Sequence, residues 1–415
     1  MQFGQFAGII AQGVAATSTH VYIVGLTTVQ LNGEAQIGLD DAFLLKLDTD
    51  LQPGSASTLV FGTAEADTAS GVAVVSAPEE TVFVTGTTSG SMDGTTAALG
   101  TDFFVIAFDA SGATLWVDQR QSPLSDRGVG IATLASEVAV FCVGYTIAAF
   151  DGQSSFGSRD IFVTRHTLAG THMFSRQYGT SGIDTASAIA VSDDGIFISG
   201  TTSGEFPGQS AVAGGSAFLL RLTLDGTLLW ARQNAVTARS SSNGVALGNG
   251  LVYITGSTLG ESIVRLGDTD IFMAQYDIDG ALQDSVIFGT IGVDFTVQTY
   301  DDPTGGIALI NGSPVIAGYT ENGGEGGADG QSPSNEVAAF GRAALATKVS
   351  ANGTPDDLRI LGIGGASTPS QALGIAHIGG TSSAVVVGVS SSELLGADSI
   401  MAGEVGAFVA RYDNV

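Results

Sequence analysis

The chain has 415 residues, 44% of them hydrophobic, and a positive mean hydropathy, which excludes global disorder. Its 59 glycines follow no strict period, which excludes collagen, and beside only nine prolines they point to short strands joined by tight turns. With 41 acidic against 14 basic residues, a formal net charge of −27, the surface repels nucleic acid backbones and anionic lipid heads, so no nucleic-acid partner is expected.

The first residues, MQFGQFAG, lack the basic start of a signal peptide and read as a strand. No segment approaches ~18 unbroken apolar residues, so no transmembrane segment is expected. An extended run ending in glycine then recurs along the chain. It reads VYIVGLTT at Gly25, VFVTGTTS at Gly86, VFCVGYT at Gly144, IFISGTTS at Gly200, VYITGST at Gly256, VIAGYT at Gly318 and VVVGVSS at Gly388. After each comes a second run: DDAFLLKLD around Phe43, TDFFVIAFD around Phe104, RDIFVTRHT around Phe162, GSAFLLRLT around Phe218, TDIFMAQYD around Phe272, GRAALATKV around Leu345 and GAFVARYD around Phe408. A turn such as DASG, TLAG, TLDG or DIDG follows, then a third strand carrying Trp116, Phe174, Tyr178 or Trp230. A further turn, with Asp67, Asp126, Asp184 or Asp294, leads into a small-residue strand such as SGVAVV or SAIAVS.

Each period thus holds four short strands with apolar residues on both faces, which only a neighbour on each side can bury. The expected fold is all-β: a seven-bladed β-propeller of four-stranded antiparallel blades. The last period stops after three strands, at VARYDNV. Residues 1–8 are therefore expected to complete the seventh blade beside 370–415, closing one domain over 1–415 and leaving no free sheet edge. Small residues suit the crowded innermost strands, and bulky aromatics the roomier outer ones.

The run GTDFFVIAFDASGATLWVDQRQ, VFVTGTTSG before it, and GTTSGEFPG at residues 200–208 resemble the bacterial seven-bladed β-propeller repeat known as SBBP. The resemblance covers essentially the whole chain. It implies a propeller of the kind found in large secreted or surface-associated bacterial proteins, and it brings no catalytic signature. Blades 6 and 7 depart from the repeat, because Leu345 replaces phenylalanine and the aspartate before Phe408 is missing. They are expected to be the least regular.

Chemistry-bearing residues are sparse. His20, His166, His172 and His377 show no metal-ligand spacing. His166, in IFVTRHT, is expected to face away from Phe162 or to sit at a sheet surface. Cys142 lies inside an apolar strand, so a core thiol is expected, and no disulfide framework exists within the chain. Asp41, Asp102, Asp160 and Asp270 recur at one position in four blades. A catalytic pair is seldom repeated around a ring, whereas an aspartate capping a turn is. Asp67, Asp126, Asp184 and Asp294 are read the same way. LDTD (Asp48, Asp50) and YDIDG (Asp277, Asp279) set carboxylates two apart in a turn. They are the candidate calcium ligands, although turn chemistry accounts for both. No cofactor is required, and calcium is the one the sequence admits.

The expected role is a noncatalytic binding or structural module of a bacterial or phage extracellular or surface assembly. A protein or polysaccharide partner would be met through one propeller face, where residues 321–336 and 292–304 stand out. Two alternatives stay open: an extracellular polysaccharide hydrolase or lyase, and a cytoplasmic protein-interaction scaffold. An axial pocket with two close carboxylates and exposed aromatics would favour the enzyme. A channel lined by small residues and backbone would oppose it.

Overall fold

The computed structural model describes residues 2–3, 8–94, 100–233, 239–259, 269–288, 293–295, 306–321, 342–349, 355–363, 371–390 and 406–413. They form seven antiparallel sheets arranged in a ring, a seven-bladed β-propeller. From the innermost strand outwards, blade 1 is Ile9–Ala16, His20–Thr27, Asp41–Asp48 and Ser57–Phe61. Blade 2 is Asp67–Val75, Thr81–Thr88, Asp102–Asp109 and Thr114–Arg120. Blade 3 is Asp126–Leu134, Ala139–Thr146, Asp160–Thr167 and His172–Tyr178. Blade 4 is Asp184–Ser192, Gly195–Thr202, Ser216–Leu222 and Leu228–Gln233. Blade 5 is Arg239–Gly248, Leu251–Leu259, Asp270–Asp277 and Leu282–Phe288.

Blade 6 departs from the pattern. Its innermost place is taken by two short pieces, Val293–Phe295 and Ile307–Ile310, both paired with Ser313–Glu321; Arg342–Val349 and Pro355–Ile363 follow outwards. Blade 7 is Gln371–His377, Ala384–Ser390 and Gly406–Tyr412, completed on its outer edge by Gln2–Phe3. Gln2 lies opposite Phe408 and Phe3 opposite Ala407, so the two chain ends share one sheet and the ring closes.

The register explains the repeat. In every blade the glycine that ends the second strand lies directly opposite the aromatic of the third: Gly25 and Phe43, Gly86 and Phe104, Gly144 and Phe162, Gly200 and Phe218, Gly256 and Phe272, Gly388 and Phe408, with Leu345 opposite Gly318. A Cβ on Gly144 would fall 2.0 Å from the Arg127 carbonyl oxygen and 2.5 Å from the Phe162 ring. The ring lies flat over a strand that has room only for glycine. The glycines that end the four-residue turns have a separate cause. Gly112, Gly170, Gly226 and Gly280 sit at φ 82–88°, a left-handed conformation that glycine adopts without strain.

Among the described residues seven buried apolar clusters form, and each joins two adjacent blades. The core is thus a set of seams between sheets, which is why a single blade cannot stand alone. The innermost strands carry a β-bulge at one recurring place, between Ala11 and Gly13, Ala69 and Gly71, Gly128 and Gly130, Ala186 and Ala188, Ser242 and Gly244, and Ala372 and Gly374. A small residue follows each bulge, and there the strands approach. A Cβ on Gly13 would lie 2.8 Å from the Ser70 carbonyl oxygen of the next blade.

Candidate functional site

The innermost strands surround an axial cavity of about 190 Å³. All seven blades line it, chiefly with Val14, Val72, Ile131, Ile189, Val245 and Ile375; Gln12, Ser70 and Ser187 supply its polar side chains. Among the described residues no charged side chain lines it.

The repeated aspartates stand where the blades meet the longer loops, and five of them accept backbone N–H groups from those loops. Asp41 accepts the backbone N–H groups of Ile37 (2.9 Å) and Gly38 (2.8 Å). Asp160 accepts those of Phe156 (2.7 Å) and Gly157 (3.0 Å). The first residues of the innermost strands do the same for the preceding loop: Asp67 accepts from Thr63 (2.5 Å), Asp126 from Ser122, and Asp184 from Thr180 (2.6 Å). Asp102 and Asp270 are also buried. Burial raises the carboxyls of Asp67 and Asp184, and pushes that of Asp126 up to about 6, with Asp102 nearby adding to the rise. Asp294 lies in a described strand of blade 6.

A glutamine partner for these aspartates went unrecognised in the sequence. Gln119, Gln177 and Gln233 lie directly opposite Phe104, Phe162 and Phe218. Gln177 donates from Nε2 to Asp160 (2.8 Å) and to the Ala148 carbonyl (3.0 Å), and accepts the Phe150 N–H (2.9 Å). Gln119 does the same with Asp102 (2.8 Å), Gly90 (2.9 Å) and Met92 (2.8 Å). The signal was present, a glutamine fifteen residues after the phenylalanine in blades 2, 3 and 4, but it sits in the least uniform strand of the period.

Four basic residues reach across the seams at the opposite, turn-bearing end. Three residues after the phenylalanine, Lys46, Arg165, Arg221 and Arg411 donate to carbonyls in the next blade's turn: Ala110 (3.2 Å), Leu224 (3.0 Å), Ile278 (2.8 Å) and Thr49 (2.9 Å). Arg411 ties the last blade to the first.

His166 corrects the sequence expectation. Its side chain is fully buried at the seam of blades 2 and 3, where Nε2 lies 2.7 Å from Asp118 Oδ2 and the ring stacks on Trp116. Positions four apart on a strand share a face, so His166 follows Phe162 into the seam. Burial disfavours the Asp118 carboxylate, but His166 and Arg120 (2.7 Å) hold its pKa below the ordinary value. At the rim of this seam His172 Nε2 lies 3.0 Å from Ser175 Oγ. This is no hydrolase triad. Asp151 accepts the Ser175 hydroxyl (2.6 Å), so it holds the serine proton and does not orient the histidine. Burial lowers the pKa of His172.

His20 pairs with Glu80 (3.1 Å), and His377 Nε2 lies 2.7 Å from the Thr381 carbonyl oxygen. Cys142 is buried, and burial raises its thiol pKa.

The four candidate calcium ligands fall in two turns of different blades. Asp48 accepts the Gln52 N–H (2.9 Å), and Asp50 pairs with Arg411 (3.0 Å). Asp277 accepts the N–H groups of Asp279 (3.1 Å) and Ala281 (2.8 Å), and Asp279 lies 3.7 Å from Arg221. Among the described residues no group of three or more histidine, cysteine, aspartate or glutamate side chains is arranged to hold a metal ion. No helix there is long and apolar enough to cross a membrane. Of the two loop stretches singled out in the sequence, only Val293–Phe295 and Glu321 lie within the described residues.

No protein-family model matches the chain, and no curated protein matches it. Among solved structures it is similar to a puromycin hydrolase mutant complexed with PGG, with a TM-score of 0.54 and 14% identity over 98% of this chain and 52% of that one. It is also similar to a puromycin-hydrolyzing peptidase of Mycobacterium tuberculosis, with a TM-score of 0.54 and 11% identity over 100% of this chain and 55% of that one. The chain therefore spans about half the length of these two proteins, and at such identities the likeness shows the propeller fold alone.

Proposed function

We propose that this chain is a noncatalytic propeller that binds a partner through its loop face, as a module of a bacterial or phage extracellular or surface assembly. The observation that carries the reading is the axial cavity, whose lining is contributed by every blade and, among the described residues, holds no charged side chain. A glycosidase or lyase built at the axis needs two carboxylates facing its substrate. The buried carboxylates described here hold loop N–H groups, which makes the loop face a rigid platform. The extracellular setting draws on the resemblance to the SBBP repeat, and the acidic surface suits it.

The test is to fractionate the native source and cross-link this chain through its carboxylates to whatever it accompanies. Recovery in an envelope, filament or virion fraction, with cross-links on the loop face, is expected. A free monomer in the soluble fraction that turns over an extracellular polysaccharide would overturn the reading.

A further inference from the structure

We propose that the loop face of blades 1 and 2 docks a cationic, amphipathic polypeptide segment of the partner. This rests on the reading above and assigns the sector and the chemistry it recognises.

The first observation is an apolar pair held out into water. Ile37 and Leu39 are 50% and 64% exposed. Their loop is fixed by the two N–H bonds to Asp41 and by Gln36 Nε2 donating to the Leu39 carbonyl (2.6 Å). Gly38 is seated so closely on the neighbouring loop that a Cβ there would fall 2.4 Å from the Thr63 carbonyl oxygen. The two side chains are therefore presented in a fixed geometry, which lowers the entropy cost of binding.

The second observation is charge. Blades 1 and 2, residues 9–120, contain thirteen acidic side chains and two basic ones, Lys46 and Arg120. Arg120, the last residue of blade 2, is held by Asp118 (2.7 Å) and by Asp151 of blade 3 (3.0 Å). Lys46 donates at the turn-bearing end, to Glu80 (2.9 Å) and Ala110, away from the loops. On the loop face the apolar pair is accompanied by Glu34 and Asp40 on its own loop, Glu65 on the loop joining blades 1 and 2, and Asp93 on the next. This sector attracts cations and repels anionic lipid and nucleic acid. Two aliphatic side chains offer no ring on which a sugar could stack. A polypeptide bearing lysine or arginine beside apolar residues complements both features.

The test uses two synthetic peptides with the same apolar residues, one carrying lysines and the other glutamates, added to the full chain. Hydrogen exchange locates the contact and titration gives the affinity. The lysine peptide is expected to protect residues 31–40 and 62–66. Its binding should weaken about tenfold or more with Ile37→Ser/Leu39→Ser, and again with Glu34→Lys/Glu65→Lys. Both variants should keep the parent thermal midpoint, since the changed side chains are outside the core. Lysine-peptide binding that ignores both variants, or that protects the turn-bearing end, overturns the inference. So does a concentration-dependent self-association of the parent that the double serine variant abolishes, because the occupant would then be a second copy. If native cross-links fall on loops of other blades while the peptide fails, the proposed function stands and this inference alone falls.

Discussion

Blades 1 and 3 build their loops alike. In blade 1 Asp41 holds the N–H groups of Ile37 and Gly38; in blade 3 Asp160 holds those of Phe156 and Gly157. Both loops expose an apolar tip, Ile37 at 50% and Phe156 at 54%. Their surroundings differ. No basic residue lies on the loops of blade 1, whereas in blade 3 Arg159 lies over the Tyr145 ring and Asp151 pairs with Arg120 of blade 2 (3.0 Å). The interiors differ as well, because Phe162 stacks on Phe150 with centroids 4.1 Å apart and meets Phe103 edge-on, a triplet without a counterpart around Phe43 among the described residues. One backbone device thus carries two different surfaces, and the scaffold and the recognition chemistry can be perturbed separately.

The largest effect is expected in the interior. Phe162→Ala should destabilise by about 3–5 kcal/mol, and Phe43→Ala by about 1 kcal/mol less, because only the former also loses ring pairs. Denaturant midpoints of the two variants measure the difference, and equal losses would show that the aromatic triplet adds nothing.

The loop clasp comes next. Gln177→Ala removes three hydrogen bonds around Asp160 and leaves the Phe150 N–H without its acceptor, at a cost of about 1–3 kcal/mol. Faster hydrogen exchange confined to residues 148–160 should accompany it; unchanged exchange there would show that the loop is held by other means.

The pH dependence of the innermost caps is smaller. Asp126 titrates near 6 in the folded chain against an ordinary value of 3.8. Its protonated form therefore favours folding: the contribution is complete below about 4 and is lost as the pH rises through about 6. Lowering the pH from 7 to 5 should stabilise the chain by roughly 1 kcal/mol through this group, and Asp126→Asn should flatten that slope. A variant with the parent slope would place the titration elsewhere. The smallest effect is at the tips: Ile37→Ser should change stability by no more than about 0.5 kcal/mol, seen as an unchanged thermal midpoint.

The seven periods, the glycine–aromatic alternation and the closing strand were legible because each repeats or pairs along the chain. The capping role of Asp41 and Asp160 was legible too, since a turn cap recurs where a catalytic pair does not. The placement of His166 was not, because its meaning depends on Asp118 in another blade, and only the seam brings them together. Gln177 and the bridging arginines were hidden for a related reason: each is one polar residue inside a strand whose other positions vary. The candidate docking surface escaped because a whole-chain charge conceals the contrast between the loops of blade 1 and those of blade 3, and exposure of Ile37 cannot be read from periodicity.

The most direct test of the central claim, that the loop face of an intact ring is the working surface, is carboxyl-directed cross-linking of the native complex followed by mapping of the linked residues. Links concentrated on loop carboxylates such as Glu34, Glu65 and Asp93 are predicted. Links concentrated on Asp193, Asp225 and Asp279, at the opposite end, would contradict it.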